Sequence, residues 1–167
     1  MTTSSPLYPS AVPPRDLVDP LVDPRLYEGV LSRRVLAFCV DFAIVCTLTL
    51  IAIPIVGVLG VLTLGLGWML YPFLFQAIAI LYSGATLGGD RASTWGMRLT
   101  GLTCRIGYGA KPGFVIAAAH VVLLYMSITF LTPFVLIVGL LTRRKQLLHD
   151  LVLGTLFVDK GTLEGRV

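Results

Sequence analysis

An aspartate, Asp41, lies inside an otherwise apolar stretch of the sequence, where ionisable side chains are rare. An ionised carboxylate at that depth of a bilayer costs at least about 2.5 kcal/mol, so it must be protonated, paired, or turned towards water or protein. The functional interpretation is proton or cation handling, because such carboxylates exchange protons near neutral pH. The structural interpretation is a buried ion pair that only fixes helix packing.

The spacing of Arg34 and Asp41 puts both on one face of a helix, two turns apart. Cys39 and Cys46 fall on the opposite face, and their separation of about 10 Å along the helix excludes a disulfide. The charged face is therefore predicted to point into the protein, and the cysteines are interpreted as small packing residues.

Two more ionisable residues are candidates for interaction with these charges. His120 lies in a later apolar segment, where it either shares a proton with Asp41 or makes a structural hydrogen bond as a neutral imidazole. Asp150 follows a basic cluster and is predicted to pair with Arg34 or Arg98. The candidate functional, ion-handling residues are thus Arg34, Asp41, Arg98, His120 and Asp150.

Chemistry beyond these residues has no sequence support. No nucleophile with a base and an orienting group, no phosphate-binding loop and no Cys/His metal-ligand spacing occurs. We therefore predict that the protein is not an enzyme and carries no cofactor and no metal.

The composition is that of a membrane protein. Of 167 residues, 56% are hydrophobic and only 13% are charged, against about 25% charged in soluble domains. Residues 42–89 and 112–142 contain no Asp, Glu, Lys or Arg. The net charge of +4 does not indicate nucleic-acid binding, because no basic, aromatic-lined surface accompanies it. The predicted surroundings are lipid, with another membrane protein or a second copy of the chain.

The elements that must position these residues are three apolar spans. They are predicted at residues 33–54, 58–82 and 113–141, the second kinked at Pro72 and anchored at the interface by Tyr82. In the polar connection between the last two, a short interfacial helix is predicted near residues 92–99, followed by an extended segment. The predicted fold class is all-α with three transmembrane helices.

The basic residues leave the course of the third segment open. Four precede the first span, none lies between the first two spans, four lie in residues 83–113 and five follow residue 141. Three full crossings would put the last five outside, against the positive-inside rule. The alternative is a re-entrant third segment bent at Pro133. In that form residues 102–106 and 154–158 share the cytoplasmic side and can pair as strands.

Three regions follow from these patterns: a disordered N-terminal tail (1–28), a membrane domain (29–160) and a C-terminal tail (161–167). The first tail holds six of the ten prolines, which block helix and sheet. It lacks the pattern of a cleavable signal peptide, so the first span is predicted to act as the insertion signal.

Three motifs in order resemble the RDD family of bacterial membrane proteins. They are RRVLAFCVD at 33–41, TWGMRLTGL at 94–102, and RRKQLLHD at 143–150 followed by GTLFV at 154–158. The match covers about residues 29–160. It departs from the family pattern at Met97, where a lysine is common, and at His120, near the place where many members have an arginine.

The resemblance implies Arg34, Asp41 and Asp150 as the signature residues. It also implies a multi-pass protein of the bacterial inner (plasma) membrane with a transport-linked role, cation/proton exchange having been proposed for some members. Charge placement predicts a cytoplasmic N-terminus. Three spans are too few to enclose a pathway, so transport requires an oligomer. The alternative is a membrane interaction or assembly protein whose Arg–Asp pairs are structural.

Overall fold

The computed structural model describes residues 24–107, 109–131, 139 and 141–164 and is mostly helical. The elements in chain order are a 3-10 helix (Pro24–Tyr27), α1 (Val30–Leu62), a second 3-10 helix (Leu66–Leu70), α2 (Tyr71–Leu87), α3 (Trp95–Leu99), β1 (Leu102–Ile106), α4 (Phe114–Leu131), α5 (Leu148–Leu153), β2 (Thr155–Asp159) and α6 (Lys160–Glu164). Helix α2 packs against both α1 and α4, and α3, β1 and β2 contact α1.

Two helical stretches are long and apolar enough to cross a bilayer: Pro24–Leu62, which contains α1, and Leu66–Leu87, which contains α2. The predicted break near residues 54–58 is wrong, because α1 continues through Pro54 to Leu62. A proline removes one backbone hydrogen bond, a loss that apolar helices of membrane proteins tolerate. The predicted kink at Pro72 is also wrong. Pro72 occupies the first turn of α2, where a missing N–H costs nothing.

The reversal between these two helices depends on glycine. Gly65 adopts φ +101°, a left-handed conformation that side chains disfavour. A Cβ atom on Gly67 would lie 2.6 Å from the backbone nitrogen of Gly60. The Trp68 indole then donates to the carbonyl of Gly57 over 3.2 Å. The glycines therefore let the two chain segments touch backbone to backbone.

The third segment is only partly described. Helix α4 runs antiparallel to α2, since a Cβ on Gly84 would meet the Phe114 ring and Tyr125 packs edge-on against Phe75. Its 18 residues extend about 27 Å, and its described apolar stretch, Phe114–Ser127, is shorter than a span. The three-span count is not confirmed, and the predicted bend at Pro133 lies outside the described residues.

A two-stranded sheet joins distant parts of the sequence near the start of α1. β1 and β2 pair antiparallel, with Leu102 opposite Asp159 and Ile106 opposite Thr155. The predicted strands at 102–106 and 154–158 are thus found within one residue, and the helix predicted near 92–99 is α3. Arg33 of α1 forms an ion pair with Asp159 at 2.5 Å, which fastens the sheet to the first helix.

The predicted tails contribute to this sheet region. Leu26 and Tyr27, within the predicted N-terminal tail, are buried against Leu156 and Val158 of β2 and Leu163 of α6. Ordered packing thus begins before the predicted boundary at residue 28 and extends past that at 160. Residues 1–23 and 165–167, the rest of the predicted tails, lie outside the described residues.

Candidate functional site

One face of α1 lines a cavity of about 310 Å³ between α1, α2 and α4. Arg34 and Asp41 both reach it, whereas Cys39 is exposed. Cys39 therefore lies away from the charged face, as its spacing predicts, whereas Cys46 is half-buried. Most of the wall is apolar, and its polar members are Arg34, Asp41, Tyr82, Ser83, Thr94, His120 and Tyr125.

Asp41 accepts three hydrogen bonds at this cavity. The Tyr82 hydroxyl donates to Oδ1 over 2.6 Å, the Thr94 hydroxyl to Oδ2 over 2.5 Å and the Gly96 amide to Oδ1 over 2.8 Å. All three donors are neutral, and within the described part of the chain no Arg, Lys or His forms an ion pair with Asp41. The described surroundings of Asp41 therefore supply hydrogen bonds but no counter-charge.

The start of α3 supplies two of these donors. Thr94 is the N-cap residue of α3, and its Oγ1 accepts from the Met97 amide over 3.2 Å, a role threonine fills well. Gly96 follows at a position with no room for a side chain: a Cβ there would lie 2.2 Å from the Ala37 carbonyl oxygen. Glycine thus brings the α3 backbone onto α1 and within reach of Asp41.

Tyr82, which is predicted to anchor α2 at the interface, donates its hydroxyl to Asp41. The same hydroxyl oxygen accepts from the Trp95 amide over 3.2 Å. Tyr82 therefore links α2, α1 and the first turn of α3.

Asp150 is the centre of a second polar group and is fully buried. Arg34 Nη1 lies 2.6 Å from its Oδ2. The Leu147 amide donates to the same oxygen over 2.8 Å, and the Thr155 hydroxyl donates to Oδ1 over 3.1 Å. Burial alone would raise the pKa of Asp150, but the Arg34 guanidinium outweighs it and holds that pKa below its ordinary value. Of the two predicted partners, Arg34 is the one found.

Arg34 is itself held from three sides. Its guanidinium carbon lies 4.0 Å from the centre of the Phe157 ring. Its Nη1 also donates to the Lys145 carbonyl over 3.2 Å. These contacts fix the basic end of α1 to both α5 and β2.

Two histidines flank Asp150 Oδ1. His120 Nδ1 and His149 Nε2 each lie 3.5 Å from that oxygen, and the two ring centres are 4.9 Å apart. The predicted proton sharing of His120 with Asp41 is replaced by contacts with Asp150 and its neighbours, including Thr155 at 3.5 Å.

His149 is buried with one ring nitrogen satisfied and one not. Its Nδ1 lies 3.0 Å from Ser127 Oγ, while Nε2 has no hydrogen-bond partner. Burial lowers the pKa of His149 to about 4, so the ring is neutral at pH 7.

The five predicted residues therefore divide into three places. Arg34, His120 and Asp150 come together, and Asp41 stands apart with its own donors. Arg98 joins neither group: it donates to the Ser93 carbonyl over 3.1 Å and lies over the Trp95 ring.

Sequence reasoning missed several members of the two groups: Tyr82, Thr94, Ser127, His149 and Thr155. Only two had a usable signal. Thr94 precedes a helix in the manner of an N-cap, and His149 directly precedes Asp150. The others are single polar residues in apolar runs, whose partners depend on packing between helices.

The sequence model of the RDD family matches residues 29–154. The chain belongs to the RDD family. No match was found among curated proteins or among solved structures.

In this RDD protein the signature residues that the resemblance implies are one arginine and two aspartates. The two aspartates have different contacts. Arg34 and Asp150 form one buried ion pair. Asp41 lines the cavity and accepts its described hydrogen bonds from neutral donors only. The two aspartates are therefore suited to different tasks, one holding the fold and one facing open space.

Proposed function

We propose that this RDD protein has a transport-linked role in the bacterial inner (plasma) membrane, exchanging cations for protons at Asp41. The observation that carries the proposal is an aspartate without a described ion-pair partner at the wall of an apolar cavity. A negative charge in low-dielectric surroundings attracts a cation or a proton strongly.

The immediate surroundings of Asp41 supply the right atoms for a hard cation. Alkali and alkaline-earth ions take oxygen ligands, and the carboxylate lies beside the hydroxyl oxygens of Tyr82 and Thr94. The cavity of about 310 Å³ has room for water that would complete the ion's shell. A proton and a cation then compete for the same carboxylate, which is the basis of exchange.

A pathway needs more helices than this chain provides. Large apolar side chains are exposed along the outer half of α1, among them Leu50, Ile55 and Val61. Lipid, a second copy of the chain or another membrane protein would cover them. The proposal therefore includes a homo-oligomer or a membrane partner.

We also propose that the third segment re-enters rather than crosses. β1 precedes that segment and β2 follows it, yet the two strands pair. A Cβ on Gly139 would lie 3.2 Å from Leu31, at the start of α1. The basic residues that follow the segment then share the cytoplasmic side with the N-terminus, which satisfies the positive-inside rule.

Flux measurements in proteoliposomes test the exchange. With a pH-sensitive dye trapped inside, adding Na⁺ or K⁺ outside should move protons for wild-type protein and not for Asp41→Asn. Asparagine keeps the shape of Asp41 and can still accept from Tyr82, so insertion and folding should survive.

Asp90→Asn is the matched control, because Asp90 is an exposed aspartate in the loop after α2. That variant should keep wild-type flux. Flux that persists in Asp41→Asn would show that another group carries the ion.

The second candidate function is membrane interaction or assembly. It is favoured by one observation: the Arg34–Asp150 and Arg33–Asp159 pairs both fasten the region after α4 to α1. If correctly inserted wild-type protein moves no protons with any monovalent cation, this alternative replaces exchange.

A further inference from the structure

We propose that His120, His149 and Asp150 form a binding site for a divalent transition-metal ion such as Zn²⁺. Two imidazole nitrogens and one carboxylate oxygen are a donor set that such ions favour. The site differs from the oxygen-rich surroundings of Asp41, and the inference does not depend on the exchange proposed there.

The spacing of the donor atoms fits an ion. His120 Nδ1 and His149 Nε2 are each 3.5 Å from Asp150 Oδ1. The three ligand atoms all lie within 4.8 Å of one another. Zinc with nitrogen and oxygen ligands at about 2.0–2.2 Å and tetrahedral angles holds neighbouring ligand atoms about 3.3–3.6 Å apart. Each nitrogen–oxygen separation already falls in that interval.

The hydrogen-bond pattern of His149 independently points to a cation. Ser127 Oγ donates its only hydrogen to the Leu124 carbonyl over 2.9 Å. The 3.0 Å contact with His149 is then a bond in which Nδ1–H donates and Ser127 accepts. This tautomer leaves a lone pair on Nε2, which is buried and unpartnered.

The free lone pair faces a carboxylate oxygen. His149 Nε2 and Asp150 Oδ1 are both acceptors, so at 3.5 Å they face each other with no hydrogen between them. The side chain of His149 is only 1% exposed, so water does not satisfy it from the surface. A metal ion placed between the two atoms and His120 would give the Nε2 lone pair a partner, while Asp150 Oδ1 keeps its hydrogen bond from Thr155.

The neighbouring contacts already resemble the support of a metal site. Ser127 fixes the His149 tautomer, and Arg34 with the Leu147 amide occupies the other carboxylate oxygen, Oδ2. Such outer contacts orient ligands and raise metal affinity. His120 lines the cavity, so the proposed site borders open space.

Arg34 also restricts which ions bind. A guanidinium 2.6 Å from the same carboxylate repels a cation held by charge alone. Ions that bind imidazole strongly, at the upper end of the divalent affinity order, tolerate this better than Mg²⁺ or Ca²⁺. The expected selectivity is therefore for Zn²⁺, Cu²⁺, Ni²⁺ or Co²⁺ over Mg²⁺ and Ca²⁺.

Cobalt titration of the full chain in detergent tests the site, with a purification tag that contains no histidine. Wild-type protein should bind one Co²⁺ per chain, with the visible bands of a low-symmetry site, and Zn²⁺ should displace it. His149→Gln and His120→Gln should each weaken binding at least tenfold. Ser127→Ala should weaken it about 10–100-fold by releasing the His149 ring.

Cysteine variants are the matched controls, because thiolates also bind Co²⁺. Replacing Cys104, which is buried in the adjacent strand, or Cys39 with serine should leave the titration unchanged. Less than one equivalent bound by wild type, binding retained in both histidine variants, or a thiolate-to-cobalt band lost in a serine variant would each overturn the inference.

Wild-type protein alone provides a second test, which stands even if the histidine variants do not fold. The chain has two histidines, so X-ray absorption of the zinc-loaded protein should show two imidazoles and oxygen at about 2.0–2.2 Å. Fewer than two imidazoles would reject the site.

Discussion

Asp150 and Arg34 hold their opposite charges almost completely away from solvent, with side chains 0% and 9% exposed. Removing one member of such a pair leaves the other charge buried and uncompensated. Replacing both is far less costly. The energetic role of the pair therefore becomes visible only when single and double changes are compared.

Arg34→Gln should destabilise the protein by roughly 3–5 kcal/mol, because Asp150 then loses its cation. The double variant Arg34→Gln/Asp150→Asn should recover a large part of that loss. Unfolding of the detergent-solubilised protein measures both. Lys160→Gln, which removes an exposed pair with Glu164, is the control and should change stability by under about 0.5 kcal/mol.

Gly96 sets how closely α3 approaches α1. Gly96→Ala should cost roughly 1–3 kcal/mol, since its Cβ would lie 2.2 Å from the Ala37 carbonyl oxygen and 2.9 Å from Asp41 Cγ. The thermal midpoint of unfolding reports this loss. Gly113→Ala is the matched control, with no atom within 4 Å of its Cβ. Equal effects of the two substitutions would contradict a steric role for Gly96.

The contacts of single side chains are harder to predict from the sequence than the positions of whole helices. The depth of Asp41 and its shared face with Arg34 follow from helical spacing alone. The sequence leaves two possible ion-pair partners for Asp150, Arg34 and Arg98, because separation along the chain does not show which helix packs beside it. The unpartnered nitrogen of His149 had no sequence signal, since it depends on how Ser127 uses its single hydrogen.

Among the elements, the short ones around the start of α1 are joined by charge as well as by backbone pairing. Asp159, at the end of β2, accepts from Arg33 and from the amide and hydroxyl of Thr162. Partial burial raises the pKa of Asp159, but the bonds from Arg33 and Thr162 outweigh it and hold that pKa below its ordinary value.

The direction of the pH effect follows from that lowered pKa. A carboxyl whose folded pKa is depressed stabilises the protein above its unfolded value of about 4 and loses the contribution as pH falls through the folded pKa. Wild type should therefore exceed Asp159→Asn in melting temperature at pH 7, and the gap should close below about pH 4. The pair is partly exposed, so the effect at pH 7 is small. A gap that is constant with pH would contradict it.

Element existence was easier to predict than element ends. The two long helices, α3 and both strands follow from apolar runs and alternation. The errors lay at two prolines. Apolar surroundings let α1 continue through Pro54, and Pro72 begins α2 instead of kinking it. The reversal after α1 lies eight residues later than predicted, where Gly60 and Gly67 pack against each other. This packing depends on contact between two chain segments and not on local conformational preference.

For the whole molecule, the pairing of β1 with β2 constrains which side of the bilayer each segment occupies. Two strands separated by the third apolar segment can pair only if the chain returns to the side it left. With the re-entrant third segment and the cytoplasmic N-terminus proposed above, Arg143, which is exposed after that segment, is expected on the cytoplasmic side.

Cysteine labelling in intact cells tests this topology. With the native cysteines replaced by serine, Arg143→Cys should resist a membrane-impermeant maleimide until the cells are permeabilised. Leu64→Cys, in the reversal between α1 and α2 where Leu64 is 98% exposed, is the control and should react from outside. Labelling of residue 143 in intact cells would mean that the third segment crosses completely.

The strand pairing also orders events during synthesis. β1 ends at Ile106 and β2 begins at Thr155, so at about 5–20 residues per second the ribosome needs about 2–10 s to make the partner. During that time β1 has no partner strand. Arg34, already at the membrane, has no ion-pair partner because Asp150 has not yet been translated. Chains that stop before Asp150 would keep both defects, an unpaired strand and an unpaired charge. Proteases of membrane quality control would then be able to tell an incomplete chain from a finished one.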